Sequence, residues 1–392
     1  MAITLTQQGL RDLAEGAAVL GTGGGGDPHI GHQLVLHQLR AGRKVHIIGI
    51  DELPDDALVL PSAMMGAPTV FIEKLPSGRG NITALRALEK HLGRTAAATM
   101  PTESGGLNSM IPLLLGAQLD LPIVDADGMG RAFPELQMET WNVHGVSGSP
   151  MAIASDHGDV CLIDTGSDNI RMERRARAMT IEMGGAAYIC DYPMDAATVR
   201  RTSIPGTLTL AMKIGAALRQ ARLRHYDPFQ ALTAALADTI YSHGLLLFAG
   251  KVVDVDRRTV AGFARGTVTL DDQGEQMTLT FQNEHLIAHR NGQVAAIVPD
   301  LICTLNSETG APVTTEALRY GQRLSIFAIS TPDLMRTPAA LDCFGPAAFG
   351  LTEPYTPLEQ LAVTLAPTGE HDPGTGLEAV TPAGLRAHPG TR

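Results

Sequence analysis

The chain has 392 residues, of which 44% are hydrophobic and 4% aromatic, and its formal net charge at pH 7 is −11. This length allows two globular domains, and the negative charge argues against nucleic acid or an anionic membrane surface as a partner. The sequence opens without a leader-like segment and has no apolar run near the roughly 18 residues that span a bilayer, so we predict a cytoplasmic protein without a membrane anchor.

Helices and strands alternate in the first part of the sequence. Apolar residues at helical spacing predict one helix over residues 5–20 and a second that ends at Arg40, with a glycine-rich segment between them. Apolar runs typical of strands follow at Val45–Ile50, Ala57–Pro61 and Val70–Ile72, and a further helix is predicted at Ile82–His91.

The next segment predicts a strand–helix–strand unit. Thr95–Pro101 has the composition of a strand, Glu103–Asn108 is a loop that contains glycines, Ser109–Gln118 is helical, and Leu121–Val124 is again a strand. Strands joined in this way lie parallel with a right-handed crossover, so the loops that follow the two strands leave the same edge of the sheet. Ligands of open α/β sheets bind along that edge, and we expect the site there.

The pattern changes along the rest of the chain. Pro150–Ala154 and Asp159–Ile163 predict a hairpin near the end of an α/β domain with a mainly parallel sheet, residues 1–168. Residues 169–360 predict a second domain in which a helical collar precedes a β-rich barrel or sandwich. Residues 361–392 are rich in Pro, Gly, Thr and His and predict a flexible tail. The basic cluster Arg171–Arg177 is interpreted as the solvated face of a helix.

The glycine-rich segment, Gly21–Gly26, formally matches the dinucleotide-binding pattern GxGxxG. That fingerprint requires a strand before the loop, and here a helix precedes it, so no nucleotide or organic cofactor is expected. The bare backbone N–H groups of Gly23, Gly24, Gly25 and Gly26 could approach an anionic or carbonyl ligand, or the segment could be a simple turn between helices. Asp27 follows the glycines, where it caps the next helix or faces a ligand.

Carboxylates gather after the two parallel strands. Glu103, with Asn108 nearby, follows the first strand, and Asp125 and Asp127 follow the second. Carboxylates at one sheet edge can activate water as a general base or bind a divalent metal, so we predict catalytic and candidate metal-binding roles for Glu103, Asp125 and Asp127. The structural alternative is a polar network that holds the loops together.

Arg131 follows these acids and could grip a substrate carboxylate, because a planar guanidinium binds a carboxylate with two hydrogen bonds. Its alternative partner is Glu135, although Pro134 between them weakens a helical pairing. We therefore predict that Asn108, Arg131 and Glu135 bind substrate together with Asp27 and the glycines 23–26.

Several segments together resemble one family. They are Gly23–Pro28, Met65–Pro68, Glu103–Asn108, Asp125–Glu135, Gly345–Gly350 and, in the second domain, Gly250–Asp254 and Phe281–Glu284. On these motifs the sequence resembles the S-methyl thiohydantoin desulfurase family, related to hydantoinase and oxoprolinase systems. The resemblance implies an amino-terminal α/β domain, a β-rich carboxyl-terminal domain, and hydrolytic removal of sulfur from a thiohydantoin or S-methyl thiohydantoin ring in the breakdown of ergothioneine-like betaines.

The hypothesis from the sequence is therefore a hydrolase for a small heterocyclic substrate. Water, activated by Glu103, Asp125 and Asp127 directly or through a divalent metal, adds to the ring carbon that bears sulfur. The glycine segment supports the developing negative charge, and Arg131 holds the propionate arm of the substrate. The alternative is a noncatalytic subunit or ligand-binding partner of a hydantoinase or oxoprolinase-type enzyme. A homo-oligomer and a monomer are both compatible with the sequence.

Overall fold

The structure is a computed structural model that describes residues 2–66, 70, 73, 76–260 and 263–365, without the side chains of residues 363–365. The helices are α1 (Gln7–Leu20), α2 (His29–Arg40), α3 (Gly80–Leu92), α4 (Ile111–Leu119), α5 (Thr140–Val143), α6 (Asn169–Glu182), α7 (Ala196–Thr202), α8 (Thr207–Arg224), α9 (Pro228–Leu236), α10 (Pro338–Phe344) and α11 (Leu358–Leu365). The predicted strand at Val70–Ile72 falls mainly outside the described residues, as does the predicted tail beyond Leu365.

The strands form two large sheets and one short pair. They are β1 (Ile3–Thr4), β2 (His46–Ile48), β3 (Leu58–Gly66), β4 (Ala98–Pro101), β5 (Ile123–Val124), β6 (Ala126–Asp127), β7 (Met151–Ala154), β8 (Val160–Ile163), β9 (Ala186–Cys190), β10 (Met194–Asp195), β11 (Ile204–Pro205), β12 (Gly244–Val260), β13 (Phe263–Asp272), β14 (Glu275–Gln282), β15 (Glu284–Arg290), β16 (Gln293–Ile297), β17 (Leu301–Asn306) and β18 (Arg323–Ile329).

The first sheet has parallel strands at its centre. In the described residues it runs β1–β2–β5–β4–β3–β9–β7–β8, with β10 paired to β3. β2, β5, β4 and β3 are parallel neighbours, whereas β9, β7 and β8 continue the sheet in antiparallel fashion. The unit β4–α4–β5 is the predicted crossover, and Thr99 of β4 pairs with Ile123 of β5. The predicted α/β class is confirmed, and the loops that follow β4 and β5 leave the same edge.

The second sheet is antiparallel and curled. Its path, among the described residues, is β16–β15–β14–β13–β12–β18–β17. The long strand β12 pairs with β18 through its first half and with β13 through its second half, and its register shifts at Leu246–Phe248 and at Val252–Asp254. Such irregularities bend a strand, which lets the sheet curl. The predicted β-rich carboxyl-terminal region with associated helices is confirmed.

Helices α1 and α8 join the two halves of the chain by close backbone contact. A Cβ atom on Gly16 would lie 1.8 Å from the carbonyl oxygen of Ala211, and one on Gly215 would lie 1.9 Å from that of Asp12, so only glycine permits this approach. Ion pairs add to the contact, with Asp12 2.7 Å from Arg219 and Glu15 2.6 Å from Arg222. The glycine-rich segment at the end of α1 therefore faces the carboxyl-terminal half of the chain.

No helix in the described part of the chain combines the length and the apolar character that crossing a bilayer requires.

Candidate functional site

The glycine-rich segment is a docking surface for the start of β15. His285 donates its backbone N–H to the carbonyl of Thr22 at 2.9 Å. A Cβ on Gly23 would lie 2.3 Å from the ring of His285, and a Cβ on Gly24 would lie 2.2 Å from Oε1 of Glu284. A larger residue at either position would displace the side chain of His285 or Glu284, and neither glycine is among the described residues that line the cavity below, so Gly23 and Gly24 make the contact between the two halves of the chain rather than the predicted contact with substrate.

A cavity lies where this contact meets the carboxyl ends of β3 and β4. Its volume is about 100 Å³, whereas one water molecule needs roughly 10–15 Å³ by the same kind of measure. The polar residues that line it are Thr102, Glu103, Asn108, Glu135, Arg177, Asn283, Glu284 and Glu316, and its apolar walls include Met64, Met65, Leu107, Met129 and Phe133. A ring-sized molecule with a few polar groups suits this combination.

Asn108 holds Glu103 in one orientation. The Asn108 amide is itself fixed by β3, because its Oδ1 accepts from the N–H of Met64 at 2.8 Å and its Nδ2 donates to the Met64 carbonyl at 3.1 Å. The same Nδ2 donates to Oε1 of Glu103 at 2.8 Å. Oε2 of Glu103 has no hydrogen-bond partner in the described residues. Glu103 therefore presents one free oxygen at the cavity, and Asn108 acts through Glu103.

Glu284 approaches the cavity from the other half of the chain. Its Oε1 accepts the backbone N–H of Gly25 at 3.1 Å, across 259 residues of sequence. Its Oε2, like that of Glu103, lacks a partner among the residues that the structure describes. Only 2% of Glu284 and 5% of Glu103 are exposed, so both carboxyl groups are shielded from bulk water.

Burial raises the pKa of both Glu103 and Glu284. It raises the pKa of Glu103 well above the usual value, and the nearby Glu284 carboxylate raises it further, against the opposing hydrogen bond from Asn108. Burial also raises the pKa of Glu284 to about 7, although the Arg131 cation opposes this rise. Both carboxyl groups therefore hold a proton more tightly than an exposed glutamate does, and Glu284, with a pKa of about 7, exchanges its proton readily near neutral pH, as acid–base catalysis requires.

Asp125 does not reach this cavity. Its Oδ1 accepts the backbone N–H groups of Leu208 at 2.9 Å and Thr209 at 3.1 Å, and its Oδ2 accepts from the Thr209 hydroxyl. These contacts cap the amino terminus of α8. The prediction that Asp125 activates water at the site is corrected, because both of its oxygens serve the helix.

Asp127 lies behind the cavity rather than in its wall. It is fully buried, and its oxygens accept the backbone N–H groups of Ser104 at 2.6 Å and Gly130 at 3.1 Å. Burial raises its pKa to about 7. The structural alternative applies here, because Asp127 ties the loop that carries Glu103 to the loop that follows β6. The expected convergence of three carboxylates around one cavity is therefore wrong.

Arg131 is a buried connector between the two halves of the chain. It has no exposed surface, and it donates to the carbonyls of Ala132 at 3.1 Å, Asp300 at 3.0 Å and His285 at 3.0 Å and to the hydroxyl of Thr22 at 2.7 Å. Burial lowers its pKa to about 10, so it stays a cation at neutral pH. The predicted substrate clamp is corrected, because these groups already occupy the guanidinium and Arg131 is not among the described residues that line the cavity.

Arg177 is the one Arg or Lys among the described residues that line the cavity. Its Nε donates to Glu173 at 2.5 Å and its Nη2 donates to the carbonyl of Pro134 at 2.9 Å. It belongs to the basic cluster that was interpreted as a solvated face, and that interpretation is wrong for this member because Arg177 lines the cavity. Glu135, a predicted substrate-binding residue, also lines the cavity, and its Oε2 accepts from Gln137 at 2.5 Å.

The remaining predicted residues divide between two surfaces. Gly25 and Gly26 line the cavity with Asn108, and their binding of substrate stays a prediction. Asp27 lies instead in a separate outer depression with His29 and His32. Its Oδ1 accepts the N–H of His29 at 2.8 Å, which is the capping role that the sequence offered as one alternative.

The predicted metal centre finds no support in this geometry. Among the described residues, no group of three or more His, Cys, Asp or Glu side chains is placed to hold a metal ion. Asp125 and Asp127 already accept N–H groups, which leaves Glu103 without carboxylate partners from the predicted set. A divalent metal stays a prediction. Glu103, Asp125 and Asp127 are not placed to bind one together.

Comparisons with known proteins agree with the two-part architecture. The profile of the S-Me-THD-like N-terminal domain matches residues 8–165, and that of the S-Me-THD-like C-terminal domain matches residues 167–358. The fold is similar to the X-ray crystal structure of a protein from Chromobacterium violaceum, with 25% sequence identity and a TM-score of 0.79, over 91% of this chain and 100% of that one. No curated protein matches this chain.

Proposed function

The chain belongs to the S-Me-THD-like family, and on that basis we propose that it is a hydrolase that removes the sulfur substituent from an S-methyl thiohydantoin or thiohydantoin ring. Water attacks the ring carbon that bears sulfur, and the products are the hydantoin and methanethiol from the S-methyl ring, or the hydantoin and hydrogen sulfide from the thiohydantoin. We place the reaction in the cytoplasm, in line with the sequence, and propose no nucleotide cofactor. Whether the enzyme works as a homo-oligomer stays a prediction.

The observation that supports this proposal is the pair Glu103 and Glu284. The two carboxyl groups come from different halves of the chain, line the same cavity, and each have one oxygen without a partner in the described residues. Buried polar atoms of this kind are rare in folded proteins, because an unsatisfied group costs about 1–3 kcal/mol. A substrate and a water molecule that accept or donate a proton would satisfy both oxygens.

The two acids suit the two proton transfers of the reaction. Glu284, with a pKa of about 7, takes a proton from water as its oxygen bonds to the ring carbon. Electrons of the carbon–nitrogen double bond move to nitrogen, which takes the proton of Glu103. The tetrahedral intermediate then expels sulfur as methanethiol, which leaves with the proton held by Glu284, and loss of the hydroxyl proton to Glu103 forms the carbonyl. Both acids end in their starting states.

Arg177 replaces Arg131 as the proposed partner of the substrate's carboxylate arm. Among the described residues that line the cavity it is the one Arg or Lys, beside four Glu residues. Its Nε and Nη2 both contact Oε1 of Glu173, and Nη2 also donates to the carbonyl of Pro134, so the N–H groups of Nη1 remain for a carboxylate.

Thiol release tests the proposal. Purified protein is supplied with S-methyl thiohydantoins that carry a carboxylate arm, and methanethiol is followed with a thiol reagent. Glu284→Gln and Glu103→Gln are expected to lower kcat about 100-fold or more, the usual contribution of one acid–base group. Glu182→Gln, at the exposed end of α6, is the matched control and should keep wild-type kcat. Full activity in both cavity variants would refute these roles.

The same assay distinguishes the hydrolase from the alternative function, a noncatalytic ligand-binding subunit. A noncatalytic partner of a hydantoinase-type enzyme would bind the heterocycle in stoichiometric amounts but release no thiol. Binding of this kind by the wild-type chain, measured by calorimetry, would exclude the hydrolase and favour the ligand-binding subunit.

A further inference from the structure

The first two residues of β13, Phe263 and Ala264, contact both sides of the cavity. Phe263 packs against Arg177, whose Cζ lies 4.5 Å from the centre of the Phe263 ring. Ala264 pairs with Asn283, the neighbour of Glu284. One short segment therefore links the proposed substrate anchor with the proposed base.

Phe263 restricts the orientation of the Arg177 guanidinium. The ring is buried, and the distance of 4.5 Å is that of a cation–π contact. Glu173 and the carbonyl of Pro134 hold two further points of the same guanidinium. These contacts engage Nε and Nη2 and fix the plane of the guanidinium, whereas Nη1 has no hydrogen-bond partner among the described residues. Nη1 therefore has a defined position in the cavity wall.

Ala264 fixes the start of β15 in the same way. Its N–H donates to Oδ1 of Asn283 at 2.9 Å, and its carbonyl accepts the N–H of Asn283 at 2.7 Å. Asn283 adopts a left-handed backbone with φ of 58°, and Glu284 follows it directly. This pair of bonds leaves the turn before Glu284 little freedom, so the Glu284 carboxyl group keeps one place relative to Ala264.

We propose that Phe263 and Ala264 form a spacer that sets the distance between Arg177 and Glu284, and that this distance determines which length of carboxylate arm the enzyme accepts. The inference rests on the proposed function, because it takes Arg177 as the anchor of the arm and Glu284 as the base beside the ring. Phe263 is a positioning residue, since it acts through Arg177.

Calorimetric binding of hydantoin acids tests the spacer. The probes are hydantoins with 5-acetate, 5-propanoate and 5-butanoate arms and the uncharged 5-propyl hydantoin, which carry oxygen in place of sulfur and release no thiol. The wild-type chain should prefer one arm length. Phe263→Leu should weaken binding of the preferred acid about tenfold, within the range of a partly desolvated cation–π contact, and reduce the preference. Its affinity for 5-propyl hydantoin should stay unchanged, and Phe263→Tyr should restore the wild-type pattern.

Arg265→Ala is the matched control. Its guanidinium lies 6.0 Å from the same ring but is not among the described residues that line the cavity, so its removal should alter neither affinity nor arm preference. Phe263→Met, which keeps volume without an aromatic face, serves if the leucine variant fails to fold in a urea titration. Wild-type affinities and arm preference in a folded Phe263→Leu or Phe263→Met variant would overturn the spacer.

The outcomes also separate this inference from the proposed function. Arm-dependent binding that Phe263 controls, without thiol release from S-methyl thiohydantoins, would refute the hydrolase and keep the spacer. Thiol release with an unchanged arm preference in the variants would refute the spacer alone. Failure of the wild-type chain to bind any of the hydantoin acids would refute the spacer as well.

Discussion

Replacing Glu284 by Gln should cost activity and increase stability, each by an amount that depends on pH. Burial raises the pKa of Glu284 from 4.5 to about 7 in the folded chain. The folded state therefore binds the Glu284 proton more tightly than the unfolded chain does. This contribution to stability is complete below pH 4.5 and is lost as the pH rises through 7.

The size of the effect follows from the shift. A change of one pKa unit corresponds to 1.36 kcal/mol, so the rise of about 2.5 units in the pKa of Glu284 corresponds to about 3 kcal/mol. The free energy of unfolding of the wild-type chain should fall by this amount between acid and mildly alkaline pH. Glutamine has the shape of the neutral acid and does not ionise, so the Glu284→Gln variant should escape this loss. Its Oε1 can still accept the N–H of Gly25.

Urea denaturation at several pH values measures the difference. The free energies of unfolding of the two proteins should converge near pH 4.5, and at pH 8.5 the variant should be more stable by about 3 kcal/mol. In the thiol-release assay, kcat of the wild-type chain should rise with a midpoint near pH 7, as Glu284 ionises. If the two free energies of unfolding differ by a constant amount across this pH range, or if the variant is the less stable protein at pH 8.5, then ionisation of Glu284 does not destabilise the folded chain and the reasoning is refuted.

Three further variants separate structural from catalytic roles. Asp125→Ala removes the cap of α8 and should lower the free energy of unfolding by about 1 kcal/mol in urea titrations while kcat stays unchanged; a lower kcat at full stability would restore its catalytic role. Arg131→Met leaves several buried hydrogen-bond acceptors without their donor and should lower the free energy of unfolding by about 3–5 kcal/mol. It should also move the midpoint of the kcat–pH profile above pH 7, because the Arg131 cation favours the ionised form of Glu284. An unchanged midpoint would contradict this coupling. Gly24→Ala places a Cβ 2.2 Å from Oε1 of Glu284 and should lower kcat about 100-fold, whereas a Cβ on Gly9 in α1 would lie 3.2 Å from its nearest neighbour, the Leu5 side chain, so Gly9→Ala should keep wild-type kcat. Equal kcat in both glycine variants would argue against a fixed Glu284.

Local patterns in the sequence predict the main elements well. The strand–helix–strand unit around α4 and the β7–β8 hairpin occur as predicted, because alternating and helical apolar spacing reflects burial against one neighbouring layer. The position of the cavity at the carboxyl ends of the parallel strands also follows from such units, since the crossover sends consecutive loops to one edge. Glu103 and Asn108 belong to that edge and line the cavity.

The roles of the acids at this edge did not follow from local patterns. Asp125 and Glu103 both come directly after a parallel strand, yet Asp125 caps a helix that begins at Thr207 and Glu103 faces the cavity. The difference depends on which N–H groups lie within reach of each carboxylate. Those groups come from distant segments, so the spacing of residues along the chain does not reveal them.

The sequence by itself determined the two-part architecture, the sheet edge at which the cavity lies and the family to which the chain belongs. Only the tertiary structure shows that Glu103 and Glu284 line one cavity, and that Arg177 lines it while Arg131 does not. It also shows that Gly23 and Gly24 contact β15. The physical reason is that secondary structure arises from the apolar pattern of a few neighbouring residues. Burial, pKa and free hydrogen-bonding capacity depend instead on partners that the chain brings together over hundreds of residues, as Gly25 and Glu284 show.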